Sequence, residues 1–186
     1  MNLPNYLSML RLLLVPCFFL TLYYYLTGEE FMLWWTRGIL CFIVASDFLD
    51  GYLARLRSEV TKLGSLLDPL ADKLFVTASY VLLAVYNQVP PWLAIIVVAK
   101  DILVTIGWCS VAMLYDKVDV MPSFLGKMAT VFQFVTVCVI VLLPKSVPKS
   151  ILEYVTAVST ILALLHYGYQ AIQTYLGSEV VKSKGD

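Results

Sequence analysis

The sequence predicts an all-α, polytopic membrane protein: six transmembrane helices preceded by a short N-terminal interfacial segment. Three observations carry this. Mean hydropathy is +0.82. Charged residues make up only 14% of the 186 residues. Finally, the chain divides into six mostly apolar runs, each near the roughly 20 residues that a helix needs to cross about 30 Å of hydrocarbon. Such a composition excludes an ordinary soluble domain. The formal net charge of zero gives no electrostatic argument for nucleic acid, and no such partner is expected.

The opening MNLPNYLSMLR is less apolar than the run from Leu12 onward. Asn5 or Ser8 can cap a helix and Arg11 can reach lipid headgroups, so an interfacial first turn or short amphipathic helix is expected there. No basic leader or small-residue cleavage site accompanies the first apolar run, which is therefore expected to be retained. The six spans lie near 8–27, 32–54, 65–86, 91–115, 123–144 and 150–175. Turn chemistry separates them: Gly28-Glu29-Glu30, the polar stretch 56–63, Asn87 to Pro91, Asp116 to Pro122, and Pro144 to Pro148. Residues 1–176 form one membrane domain in this reading, and 177–186 form a polar, solvated and frayed cytoplasmic tail.

The basic residues orient the spans. With the N-terminus inside, Arg11, Arg55, Arg57, Lys62, Lys73, Lys117, Lys127, Lys182 and Lys184 gather on the cytoplasmic side, against chiefly Lys145 and Lys149 opposite. Both termini are thus expected in the cytoplasm. Tyr23-Tyr24-Tyr25, Trp34-Trp35 and Trp92 fit interfacial anchors. Cys17, Cys41, Cys109 and Cys138 lie in apolar runs without metal-ligand or CxxC spacing, and read as small packing residues.

Against this apolar background stands DFLDGYLARLRSEVTKLGSLLDPLADK, residues 47–73. An Asp at the centre of a membrane helix costs roughly 2.5–3.5 kcal/mol, so four unpaired ones would cost about 10–14 kcal/mol, an upper bound for residues near helix ends. At helical periodicity Asp47, Asp50, Gly51 and Ala54 fall on one stripe, and Gly64, Asp68 and Asp72 fall on another. The short polar connection makes the two helices expected antiparallel neighbours with their acidic stripes facing. Facing carboxylates repel unless protons or a cation hold them. Hard oxygen donors suit Mg²⁺, Mn²⁺ or Ca²⁺, and Mg²⁺ favours a few carboxylates plus phosphate oxygens. The small residues leave room for a bulky anion, and Arg55 can meet phosphate with its planar fork of donors. Metal-assisted phosphoryl transfer is the chemistry this pattern points to. Simple pairing of the aspartates with Arg55, Arg57, Lys62 and Lys73 is the plainer alternative.

The run Asp47-x2-Asp50-Gly51-x2-Ala54-Arg55-x8-Gly64-x3-Asp68-x3-Asp72 resembles the signature of the CDP-alcohol phosphatidyltransferase family, and the likeness in segment order covers most of the chain. The opening also resembles that of the phosphatidylglycerophosphate synthases of this family. The resemblance implies a six-helix enzyme of phospholipid synthesis in the bacterial cytoplasmic membrane. Such an enzyme is usually a homodimer, with its active site facing the cytoplasm, and transfers phosphatidyl from CDP-diacylglycerol to an alcohol with release of CMP. Position by position, it implies that Asp47, Asp50, Asp68 and Asp72 hold two divalent ions, Mg²⁺ or Mn²⁺. Asp72 is also the implied base, and Asp50, Gly51, Ala54, Arg55 and Gly64 line the CDP site.

For the acceptor, Lys100 lies with Asp101 inside the fourth span and Lys127 at the start of the fifth, near Gln133. Two lysines beside the cavity favour an anionic acceptor, glycerol 3-phosphate or phosphatidylglycerol; the plainer alternative is that Lys100 pairs locally with Asp101 and Lys127 snorkels. Lys100-Asp101, Gly107-Trp108 and Gly126-Lys127-Met128-Ala129-Thr130 depart from the usual synthase pattern. Lys-Asp followed by an apolar run, and the closing HYGYQAIQTY, are similar to the cardiolipin synthases of the family. His166 reads as a packed or headgroup-facing residue. A divalent-cation transporter would also place carboxylates in a bundle, but the acidic pairs cluster toward one membrane face and no interrupted helix pair marks an inverted repeat.

Overall fold

The backbone closes its own turns, and that fixes where the helices stop. In the computed structural model, residues 3–57, 62–114, 124–144 and 149–183 are described. Their side chains are described for 13–46, 73–107, 124–144, 149–170, 172 and 173. Six helices occupy them: α1 (Leu3–Leu26), α2 (Met32–Arg57), α3 (Lys62–Val85), α4 (Pro91–Leu114), α5 (Phe124–Leu142) and α6 (Lys149–Ser183). No strand occurs among the described residues.

α1 ends where Gly28 turns left-handed at φ 118°. Gly28 N–H donates to the Tyr25 carbonyl at 3.1 Å and Glu29 N–H to the Tyr24 carbonyl at 3.0 Å, the paired bonds of a Schellman cap. α3 ends the same way on Asn87, at φ 56°, with bonds from Asn87 N–H to Ala84 and from Gln88 N–H to Leu83. Asparagine is among the few side chains that tolerate this region. α4 then begins on Pro91, whose fixed φ and missing N–H suit a first helical position.

Two differences from expectation stand at the chain ends. Residues 3–11 do not form a separate interfacial helix; they open α1, which continues through Pro16 to Leu26. Pro16 removes one backbone donor, a loss that membrane helices absorb by local adjustment. At the other end α6 runs on to Ser183, so most of the polar stretch expected as a frayed tail is helical. Glu179 and Lys182 are good helix formers, and propagation from a helix already nucleated carries the chain through Gly177 and the intervening Ser and Val residues.

The chain forms two compact units. The first comprises residues 1–88 and 137–147, the second residues 89–136 and 148–186, so α5 contributes to both. In the first unit α1 packs against α2 and α3. Phe18 meets Phe75 with ring centroids 5.0 Å apart, and Leu22, Leu40, Val76, Tyr80 and Leu83 complete a buried core. In the second unit α4 packs on α6, with Trp92 against Tyr154 at 6.0 Å and Ala94 and Ala157 buried.

The distribution of polarity is inverted relative to a soluble protein. Leu20, Trp35, Phe42, Val81, Ile95 and Leu162 are exposed, while Thr36, Ser79, Lys100, Gln133 and Thr156 are buried. An exterior this apolar has lipid as its solvent, and polar groups turned inward find partners there. Phe124–Leu142 and Lys149–Gln170 are long and apolar enough to cross a bilayer. Leu13–Leu26, Met32–Ser46 and Lys73–Val85 are shorter apolar stretches among the described residues. The protein is an all-helical membrane protein. Cys17, Cys41 and Cys138 are free thiols, the first two exposed on helix exteriors rather than packed inside; Cys109 lies outside the described side chains.

Candidate active site

α2 is unbroken from Met32 to Arg57 and α3 from Lys62 to Val85, so the helical register expected for the aspartates holds. On α2, Asp47, Asp50, Gly51 and Ala54 share one face near the helix's C-terminal end, with Arg55 one residue beyond Ala54. On α3, Gly64, Asp68 and Asp72 share a face near the N-terminal end. At 1.5 Å per residue, Asp47 and Asp50 are about 4.5 Å apart along their axis, and Asp68 and Asp72 about 6 Å. Only residues 58–61 separate the two helices, and a connection this short keeps the acidic end of α2 close in the chain to the acidic end of α3. The side chains of Asp47, Asp50, Gly51, Ala54, Arg55, Gly64, Asp68 and Asp72 lie outside those described, as does the expected facing of the two stripes. As a donor set, four carboxylates with no sulfur or imidazole fit a hard divalent cation that also accepts phosphate oxygens.

The acceptor candidates are described in full. Lys100, on α4, is buried, with 5% of its surface exposed. Its Nζ lies 2.9 Å from Asp101 Oδ1 and donates to Gln133 Oε1 on α5 at 3.2 Å. Gln133, itself buried, donates through Nε2 to Thr160 Oγ1 on α6 at 3.0 Å, and Thr160 donates to the Thr156 carbonyl at 2.6 Å. One turn along, the Thr136 and Thr156 hydroxyls are 2.7 Å apart. A polar chain thus runs across three helices of the second unit. Lys100 is an anchored cation held by a carboxylate and an amide, not a mobile arm. Lys127 is different: it is exposed on the first turn of α5.

Next to Lys127, Gly126 faces the Tyr167 hydroxyl so closely that an added Cβ would overlap it. His166 is half-buried on α6. Sequence reasoning misses the Gln133–Thr160 and Thr136–Thr156 links. Their signal is Gln133 with Thr136 at i, i+3 and Thr156 with Thr160 at i, i+4, polar side chains stacked on one face of apolar helices.

Comparison with known proteins identifies the family. The family model for CDP-alcohol phosphatidyltransferase matches residues 1–165. The chain belongs to the CDP-alcohol phosphatidyltransferase family. Among relatives named CDP-diacylglycerol--glycerol-3-phosphate 3-phosphatidyltransferase, that of Bacillus subtilis strain 168 is 33% identical over 150 residues, 76% of this chain and 77% of its own length. The protein of that name from Rickettsia typhi is 32% identical over 183 residues, 94% of this chain and 98% of its own. That from Haemophilus influenzae is 30% identical over 172 residues, 89% of this chain and 91% of its own. The matched region of the family takes in both acidic stripes and the Lys100–Gln133–Thr160 chain.

Proposed function

We propose that the chain makes phosphatidylglycerophosphate, moving phosphatidyl from CDP-diacylglycerol to glycerol 3-phosphate and releasing CMP. The observation that carries this is the family match over residues 1–165, joined to relatives near full length whose names specify that reaction. In this reading six helices span the cytoplasmic membrane, residues 1–176 form the catalytic domain, both termini and the active site face the cytoplasm, and the enzyme is a homodimer.

Asp47, Asp50, Asp68 and Asp72 are assigned as ligands for two divalent ions, Mg²⁺ or Mn²⁺. Bound there, such ions would neutralise the diphosphate and draw electron density from the reacting phosphorus. The other roles fall to this chain's residues. Asp72 takes the proton from the acceptor hydroxyl as its oxygen attacks, and the phosphorus–oxygen bond to CMP breaks in line. Gly51, Ala54 and Gly64 admit the cytidine diphosphate close to the backbone, and Arg55 forks onto a phosphate oxygen. Asp50 lies beside Gly51 and contributes to the same nucleotide site. Lys127 meets the acceptor phosphate from an exposed position; Lys100, held by Asp101 and Gln133, is the second acceptor-side cation in this reading.

The deciding experiment supplies purified protein with CDP-diacylglycerol, Mg²⁺ or Mn²⁺, and one of three acceptors: glycerol 3-phosphate, phosphatidylglycerol or inositol phosphate. CMP release and a product of phosphatidylglycerophosphate mass are expected with the first alone. Cardiolipin formed from phosphatidylglycerol would reassign the acceptor. Metal transport into vesicles with no CMP released would replace the enzyme with a transporter.

A further inference from the structure

At the end of α2 away from Asp47 and Asp50, Arg37 is set into an otherwise apolar surface. It is half-buried. Its Nε donates to the Val141 carbonyl at 3.3 Å and its guanidinium carbon sits 5.6 Å from the centre of the Trp34 ring. These contacts fix the side chain through one nitrogen and one face, which leaves the two terminal nitrogens of the fork for another acceptor. The residue lines a cavity of about 410 Å³ together with Glu30, Tyr25, Trp34 and Pro144, all within the first unit. Among the described residues neither Arg37 nor Glu30 has an ion-pair partner, although both border the same space.

Trp34 also borders a second cavity of about 630 Å³, an apolar groove running past Phe31, Gly38 and Ile39 to Phe42. From Trp34 to Phe42 is about 12 Å of helix. A Cβ built on Gly38 meets nothing within 4 Å, so the groove is open along its floor. A chamber carrying one cation and one anion, sharing Trp34 with an apolar trough, matches an amphiphile with a dipolar head.

We propose that Arg37, Glu30 and the groove over Gly38 hold one zwitterionic phospholipid of the phosphatidylethanolamine type. The phosphate lies on the free edge of Arg37, the ammonium on Glu30 and an acyl chain lies in the trough. Charge complementarity selects this occupant. A purely anionic head would leave Glu30 facing like charge, and a lipid lacking phosphate would leave Arg37 unanswered. The site lies about 15 Å along α2 from Asp47, the rise over ten helical residues, so it is separate from the acidic stripes and does not depend on which alcohol the enzyme uses.

The test is lipid retention by the purified full chain in native mass spectrometry. CDP-diacylglycerol is kept in excess to fill the active site, with equimolar phosphatidylethanolamine, phosphatidylglycerol and diacylglycerol of identical acyl chains as competitors. One phosphatidylethanolamine per chain is expected, retained about tenfold over diacylglycerol. Tenfold corresponds to about 1.4 kcal/mol, near the net worth of one hydrogen bond to a charged group. Arg37→Leu should erase that preference, Arg37→Lys should keep part of it, Glu30→Gln should bring phosphatidylglycerol level with phosphatidylethanolamine, and Gly38→Leu should lower retention of every lipid. Equal retention of the three lipids by the unaltered protein overturns the proposal. So does a preference undiminished in Arg37→Leu, or a change in subunit number rather than lipid count in Gly38→Leu, which would make the groove a contact between copies. If Arg37→Leu fails to fold, Glu30→Gln decides alone: an unchanged order of the two phospholipids is then the refuting result.

Discussion

Replacing Lys100 with Met removes the α4 end of the α4–α5–α6 polar chain, and its only cation, while keeping the length and apolar volume of the side chain. The ammonium is lost from between Asp101, at 2.9 Å, and Gln133, at 3.2 Å, in a site where the lysine side chain is 6% and the aspartate 12% exposed. Breaking one partner out of a buried pair costs about 3–5 kcal/mol in soluble proteins. An interhelical hydrogen bond within a bilayer averages about 0.6 kcal/mol. The charge term therefore dominates, and a loss of about 3 kcal/mol is expected. For a chain of this length each kcal/mol moves Tm by roughly 2–4 °C, so Lys100→Met should melt about 6–12 °C lower in detergent. Thr160→Val removes one interhelical bond, the acceptor for Gln133, along with the hydroxyl's bond to its own helix's Thr156 carbonyl, and should cost about 0.6 kcal/mol, or 1–2 °C. Because the Lys100–Gln133 bond is shared, Lys100→Met combined with Gln133→Leu should be less destabilising than the two single effects added, by at least about 0.5 kcal/mol. Thermal unfolding followed by circular dichroism measures all four variants. A Lys100→Met shift no larger than that of Thr160→Val, or strict additivity of the pair, would refute the view that this lysine is an interhelical tie.

Three further outcomes are expected. Asp72→Asn should retain its melting temperature and lose at least about 100-fold in CMP release, the lower range for a lost general base; a smaller loss takes the base role away from it. Chelation of the purified enzyme should abolish CMP release, and titrating back Mg²⁺ or Mn²⁺ should restore it; activity unaffected by chelator contradicts the four-carboxylate metal site. Gly28→Ala places a Cβ at φ 118° and should destabilise the chain by about 1–2 kcal/mol. Gly28→Asn should cost less, and equal melting temperatures for both would show that the left-handed cap carries no strain.

The helix boundaries are legible in the sequence because each has a chemical cause visible in the chain. Expected spans of 32–54 and 91–115 correspond to Met32–Arg57 and Pro91–Leu114, since Gly28, Asn87 and Pro91 can do little else in an apolar setting than end or begin a helix. The acidic register is legible for a related reason: a helical period and four charges too costly to leave in lipid without a partner. Lateral pairing is not. Nothing in the periodicity of α6 says that Thr156 and Thr160 meet Thr136 and Gln133, because threonine in a membrane helix satisfies its hydroxyl on its own backbone equally well, as Thr105 does with the Asp101 carbonyl. The charge of Lys100 points to an acceptor ligand; its burial against Gln133 depends on a helix pairing that no local pattern encodes. Arg37 carries no signal of its own, because a lone arginine after two tryptophans is indistinguishable, by sequence, from one that snorkels to the interface.

The Schellman cap at Gly28 bears on how the first two helices hold together. With the Tyr24 and Tyr25 carbonyls answered by the next two amides of the turn, the bend joining them keeps fewer backbone groups that need water. Since α1 and α2 also pack along one another, the pair is a hairpin whose turn and whose seam are both closed by its own atoms.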